Sequence, residues 1–412
     1  MNAGYRIAVI ASSRFPICQP FAGGLEAHVW HLSRNLAAQG HEVSLFAAPG
    51  SDPALGSGAL TVRELTLSKA ATSDVSMPAP AFMADHHGYL SLMLDLAKYG
   101  ADRFDLVHNH SLHYLPVAMS PLLSIPMLTT LHTPPTPWLE SALDTTAGEG
   151  TRLAAVSRHT AAAWRPVADD IVVIPNGIDT TRWPLGPGGD YLVWSGRITP
   201  EKGTHLAIAA ARKAALPLMI AGPVSDSRYF QAEVLPQLDD RVRYAGHLDQ
   251  EALAEVVGHA GAALVTPAWD EPYGLVVAEA MSCGTPVVAF ARGGITELVS
   301  TRSGRLVPAD DIGAMAAAIP AAMSLSRQGV RAHAKRRCSA GAMLRTYVTL
   351  YGNMIDESRN RKDDRLLRTP SRLRSPRPGD EHLCADAATG HHIEQQDDPR
   401  RSPVRGRRRA SA

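Results

Sequence analysis

The sequence predicts an α/β protein made of two doubly wound parallel-sheet domains facing each other across a cleft. Short β-branched runs alternate with helical apolar spacing from the first residues onward, the signature of strand–helix–strand crossovers. The alternation breaks at a Pro- and Gly-rich loop from Trp183 to Gly189 and then begins again. With 412 residues the chain exceeds one ordinary core and fits two domains of roughly 150 to 200 residues.

Taken in order, Arg6–Ala11 reads as a buried strand. Leu25, Val29, Leu32 and Leu36 then form one face of a helix that Gly40 ends. Strands follow at Glu42–Ala47, Asp105–His108, Met127–Leu131, Leu153–Val156 and Ile171–Ile174, with helical stretches at Tyr89–Tyr99 and His159–Trp164 between them. The second series reads as strand Tyr191–Trp194, helix Thr204–Ala214, strands Leu218–Ala221 and Arg241–Ala245, and helix Glu251–Val257. It continues with strand Ala262–Thr266, helix Leu275–Cys283 and strand Pro286–Ala289. Right-handed crossovers then make both sheets parallel, with helices on both faces. The expected domains are residues 1–180 and 181–340, with a closing helix over 341–356 that returns to the first domain. A disordered Arg- and Pro-rich tail is expected over 357–412.

Charge is unevenly spread. Residues 1–180 carry 10 Lys+Arg against 15 Asp+Glu, residues 181–356 carry 17 against 16, and residues 357–412 carry 14 against 9. The tail, ending in Arg405–Gly406–Arg407–Arg408–Arg409, reads as solvated, with an anionic partner as the alternative. No apolar run reaches the ~20 residues that span a bilayer. The apolar stretch Ile7–Ser13 reads as a strand rather than a leader, and the four scattered cysteines (Cys18, Cys283, Cys338, Cys384) suggest neither disulfides nor a thiolate zinc site. A cytoplasmic protein is the expectation.

Ligands of open parallel sheets sit beyond the carboxyl ends of strands, where helix N-termini attract phosphate. Three such loops stand out. Phe21–Ala22–Gly23–Gly24 lets backbone approach an anion closely. It is not a dinucleotide fingerprint, because G-x-G-x-x-G is absent and the next strand ends in Phe46–Ala47–Ala48 with no acid for a ribose. Ser195 to Gly203 carries Arg197 and Lys202, two cations able to share one polyanion; a plain surface turn is the alternative. Asp270 to Val288 is the richest. Pro272 fits the first turn of a helix and leaves Glu271 in the loop, with Glu279 about two turns along. The amides of Gly274, Leu275 and Val276 are free for phosphate oxygens, and the two carboxylates can accept from hydroxyls. Helix-dipole compensation by Asp270 and Glu271 is the plainer reading.

From Glu271 to Glu279 the stretch resembles the E-x7-E motif of the retaining nucleotide-sugar glycosyltransferases of family 4, which share the two-Rossmann-domain GT-B fold. Four further stretches fall in that family's order and approximate spacing: Gly23–Glu26 with Gly40–Val43, Pro175–Asp179, Gly196–Arg197 through Lys202–Gly203, and Gly284–Val287. Together they cover about residues 5–350.

The resemblance implies transfer of a hexose from a nucleoside diphosphate, UDP-glucose-like first and GDP-mannose second, to an acceptor hydroxyl with retention. Arg197 and Lys202 then hold the diphosphate and offset the charge growing on it, so no metal or other cofactor is expected. Glu279 takes the ribose hydroxyls and Glu271 the sugar hydroxyls. Gly274, Leu275 and Val276 offer amides, Gly23 and Gly24 cap the phosphates across the cleft, and the base rests near His247 and Leu248. His132, at the end of the strand Met127–Leu131, matches the family histidine that contacts the donor sugar. A metal reading of His108, His110 and His113 is set aside for want of a completing carboxylate or Cys, and the resemblance places His108 and His110, with Asn176, toward the acceptor.

Because the first domain is acidic, a small soluble molecule or neutral glycan is the expected acceptor; no nucleic acid is expected, a peripheral membrane contact is left open, and oligomeric state is unread. Two rival functions remain: an epimerase acting on the nucleotide sugar itself, and a catalytically silent nucleotide-sugar binding protein. Intact Arg197, Lys202, Glu271, Glu279 and His132 argue for transfer.

Overall fold

The computed structural model describes residues 4–56, 58–66 and 80–368. Among these, thirteen strands form two wholly parallel sheets. The first contains β1 (Arg6–Ile10), β2 (Glu42–Ala47), β3 (Leu60–Glu64), β4 (Leu106–Asn109), β5 (Met127–Leu131), β6 (Thr151–Ala155) and β7 (Ile171–Val173), in the order β3-β2-β1-β4-β5-β6-β7. The second contains β8 (Leu192–Ser195), β9 (Leu218–Ala221), β10 (Val242–Tyr244), β11 (Ala262–Val265), β12 (Val287–Phe290) and β13 (Gly304–Val307), in the order β10-β9-β8-β11-β12-β13. Each sheet begins at its centre and reverses there, so β1 and β4 flank one topological switch point and β8 and β11 the other. Those two crevices are where ligands of such sheets bind.

Parallel strands covered on both faces must be apolar on both. In β1, Ile7 and Val9 face one core with Val29, Leu32 and Tyr351, while Ala8 and Ile10 face another with Tyr89, Met93 and Leu96. In β8, Val193 meets Val277 and Met281 on one side, and Leu192 and Trp194 meet Ala207 and Ile208 on the other. Edge strands β3 and β13 escape the sequence pattern because each pairs on one side only and carries Thr, Arg or Gly where a central strand has Val or Ile.

A long helix, Ala340–Arg368, returns to the first sheet and buries Tyr347, Leu350 and Tyr351 in its core. It corrects the sequence reading in one respect. The expected tail begins at 357, but the helix runs on through Arg368. Residues 369–412, with the Arg405–Arg409 run, lie outside the described residues.

Candidate active site

Both switch points open into one cavity of about 850 Å³. From the first sheet come the loop after β1, leading into the helix Gly24–Ala38, and the segment after β5 that starts with His132. From the second come the loop after β8, with Arg197 and Lys202, and the loop after β11, with Glu271, leading into the helix Leu275–Ser282.

The two sides touch at several points. Gly24 is so close to Leu275 that a Cβ placed on it would lie 2.8 Å from Leu275 Cδ1. His247 Nε2 is 3.0 Å from the carbonyl oxygen of Phe21. Ser157 and Thr160 donate to the carbonyl of Pro272 at 2.6 and 3.2 Å, and the Tyr273 hydroxyl donates to the carbonyl of Asn176.

On the second-sheet wall, Lys202 Nζ stands 2.6 Å from Glu271 Oε2, and the Trp269 indole donates to the same oxygen at 3.0 Å. Lys202 also lies 5.1 Å from the centre of the Trp269 ring, a cation–π distance. The turn that aims Lys202 needs Gly203, whose φ of +68° is left-handed and whose missing Cβ leaves room for the Thr266 carbonyl. Among the described residues Arg197 makes only a long ionic contact, 3.7 Å, to the carboxylate of Glu201. Glu279 accepts no hydrogen bond or ion pair among the described residues, and the surrounding protein pushes its carboxyl up to about 7 by desolvation.

Sequence and structure differ at the start of this helix. Pro272 is not in its first turn; Gly274 caps the helix with φ +96° and the helix begins at Leu275. The amides of Leu275 and Val276 nevertheless stand at its N-terminus and line the cavity. Gly23, in extended conformation, caps the facing helix with no side-chain bond.

Of the residues singled out from sequence, Gly23, Gly24, His132, Asn176, Arg197, Lys202, His247, Leu248, Glu271, Gly274, Leu275, Val276 and Glu279 all line the cavity. His108 and His110 do not, which corrects their placement toward an acceptor. Both are fully buried: β4 is a central strand, and the returning helix seals its face. His108 is held by the Tyr351 hydroxyl at 2.6 Å and Thr130 at 2.8 Å. His113 caps the short helix Tyr114–Ala118 by accepting from the amide of Leu115.

Two cavity-lining residues, Trp269 and Glu26, and the buried His28 went unassigned in the sequence. Trp269 carries no signal beyond adjacency to Asp270–Glu271. Glu26, in the first turn after Gly23–Gly24, is buried, and desolvation raises its carboxyl against the pull of Arg197 and Arg14. His28 follows on the same helix and is also buried.

Comparison with known proteins agrees with this geometry. Residues 22–182 match the family described as Glycosyltransferase Family 4, and residues 179–337 match Glycosyl transferases group 1. The glycogen synthase of Mycobacterium tuberculosis (strain ATCC 25618 / H37Rv) is 31% identical over 339 residues, 72% of this chain and 81% of that protein. The chain belongs to the family 4 glycosyltransferases. The D-inositol 3-phosphate glycosyltransferase of Frankia alni is 30% identical over 382 residues, covering 78% of this chain and 89% of its own length. Among solved structures, sucrose-phosphate synthase from Thermosynechococcus elongatus superposes with a TM-score of 0.69 at 22% identity, covering 85% of this chain and 99% of that one. HepE of Anabaena, solved with UDP and glucose, gives 0.67 at 18% identity, with 84% and 99% covered. Both share the GT-B fold, and the protein is a glycosyltransferase. Among the described residues no helix is long and apolar enough to cross a membrane.

Proposed function

We propose that this glycosyltransferase moves a hexose, with retention, from a UDP-glucose-like donor to a hydroxyl of a small soluble molecule or a glycan. One observation carries the reading: a single wall gathers Arg197, Lys202 and a helix N-terminus beside the two carboxylates Glu271 and Glu279. The glycogen synthase relative supports glucose as the sugar and a glycan acceptor. HepE, which shares the fold and was solved with UDP and glucose, makes uridine the first base to try.

In this reading Arg197, Lys202 and the amides of Leu275 and Val276 bind the diphosphate and offset the charge that grows on it, without a metal at that position. The bond from the anomeric carbon to the β-phosphate oxygen breaks. The acceptor oxygen bonds the same face of that carbon, and its proton passes to the departing phosphate. Glu279 accepts from the ribose hydroxyls, Glu271 and His132 orient the hexose, and the Gly23–Gly24 turn closes over the phosphates. GDP-mannose is the second donor to test. Since Glu271 already accepts from Lys202 and Trp269 through one oxygen, its other oxygen is left for a sugar hydroxyl.

The test is acceptor-dependent release of nucleoside diphosphate from UDP-glucose and GDP-mannose, over soluble sugars, sugar phosphates, inositol phosphate and glucans, with NMR of the product's anomeric configuration. Retained configuration at acceptor-dependent turnover is expected. Inverted product contradicts the front-face route; an epimerised donor without acceptor supports the epimerase; binding without turnover supports a silent binding protein.

A further inference from the structure

Beneath the cleft floor, His28 from the helix Gly24–Ala38, His110 after β4 and His132 after β5 each present a ring nitrogen, and these nitrogens all lie within 4.8 Å of one another. Their ring centres are 5.4 Å (His28–His110), 5.2 Å (His28–His132) and 5.2 Å (His110–His132) apart. A tetrahedral zinc ion with nitrogen ligands at 2.0–2.1 Å holds imidazole centres about 5.2 Å apart, so the triangle has the dimensions of a three-imidazole metal site.

One observation beyond the spacing points to a ligand. Among the described residues both nitrogens of His28 are buried without a hydrogen-bond partner, a costly arrangement that a bound ion would relieve. His110 is oriented from behind: its Nε2 lies 3.2 Å from His108 Nδ1, while its Nδ1 faces His132 Nε2 at 2.9 Å. His108 is itself fixed by Tyr351 and Thr130. Such outer contacts set the tautomer and aim of a metal-binding imidazole.

We propose that His28, His110 and His132 bind one divalent late-transition-metal ion, zinc or its cobalt surrogate, leaving the fourth position to water from the cleft that His132 lines. With Nε2–H of His110 turned to His108, its Nδ1 lone pair faces His132; to take the ion, His132 moves its proton to Nδ1 and the 2.9 Å nitrogen contact opens to the roughly 3.3 Å between two ligands of a tetrahedral zinc. The site lies apart from Arg197 and Lys202 but shares His132 with the proposed hexose contact; because uptake is read by absorption and stoichiometry without donor, it is expected whether or not the donor reading holds.

The experiment titrates Co2+ into chelator-treated, dialysed full-length protein, following visible absorption and stoichiometry. One equivalent with the intense bands of a four- or five-coordinate nitrogen site is expected, displaced by one equivalent of Zn2+. His28→Leu, which replaces an unpartnered buried imidazole with an apolar side chain, should keep its far-UV spectrum and lose that equivalent. Should His28→Leu fail to fold, X-ray absorption at the zinc edge of the wild-type one-to-one complex decides, with three imidazoles expected. An unchanged equivalent in folded His28→Leu, a purely oxygen shell, or no uptake at micromolar metal overturns the proposal.

Discussion

Lys202 and Glu271 form an ion pair of 2.6 Å at the mouth of the second-sheet switch point, and each side chain is about four-fifths buried, with 20% and 17% of its surface exposed. Loop β8–helix and loop β11–helix are thereby tied to each other before any ligand arrives. The pair places a cation and a carboxylate at one point of the cleft, the combination that the proposed donor, an anion beside hydroxyls, calls for.

Removing either member should therefore act on chemistry more than on fold. Lys202→Ala and Glu271→Ala are each expected to lower kcat by about 10²- to 10³-fold, the usual loss when a preorganised charge partner is deleted. Leaving the other charge mostly buried without its ion-pair partner should cost about 1–3 kcal/mol of stability. The double variant should lose less than the product of the two single losses, because the residues act as a unit. Steady-state kinetics with urea denaturation checks all three statements.

Glu279 predicts a pH dependence. Its carboxyl is raised by burial from 4.5 to about 7 in the folded protein. Accepting two ribose hydroxyls favours the ionised form, so affinity for the sugar nucleotide should rise from pH 6 to pH 8 and flatten above it. Glu279→Gln should bind more weakly at pH 8 and lose most of this dependence in calorimetric titrations. Stability runs the other way: below pH 4.5 the buried acid has no ionisation penalty. The penalty grows as pH rises through about 7, so Glu279→Gln should stabilise the ligand-free protein at pH 8.

Gly203 predicts a coupled defect. At φ +68°, with the Thr266 carbonyl occupying the place of a Cβ, alanine is both strained and crowded. Gly203→Ala should lose about 2–3 kcal/mol and displace Lys202. Its kcat should fall although no charged group has been changed; an unaltered kcat and melting temperature would refute the role given to this turn.

Tyr351 tests the returning helix. Its hydroxyl is 2.6 Å from His108 Nδ1, and the ring is fully buried in the first-sheet core. Tyr351→Phe should cost about 1–2 kcal/mol by depriving a buried imidazole of a partner. Tyr351→Ala should cost about 3–5 kcal/mol by emptying the ring's volume. Denaturant titration distinguishes the two.

Much of this was legible in the sequence because it depends on local rules. Central strands such as Glu42–Ala47, Met127–Leu131 and Leu218–Ala221 are read within their ends, since burial on both faces demands continuous apolar runs. The loops that bear Arg197, Lys202 and Glu271 are marked by glycines and by their position after strands. Tertiary effects were not legible. Which side of the molecule covers His108 and His110 is decided by a helix more than two hundred residues later in the chain. The helix Leu275–Ser282 is capped by Gly274 rather than entered at Pro272, with a left-handed φ of +96° at a point where a Cβ would come within 3.0 Å of Ile295. The meeting of His28 with His110 and His132 joins three elements that no sequence period connects.

In the proposed reading the cleft between the two sheets is a nucleoside diphosphate sugar site held by Arg197, Lys202 and a helix N-terminus. Its most direct test is thermal unfolding with UDP, GDP, ADP or dTDP, with and without chelator, each compared with nucleotide-free protein in the same buffer. One nucleotide at about a hundredfold above its Kd should raise Tm by about 3–8 °C, with chelator present or absent and not in Lys202→Ala. No shift with any nucleotide, or an equal shift in Lys202→Ala, would contradict the account.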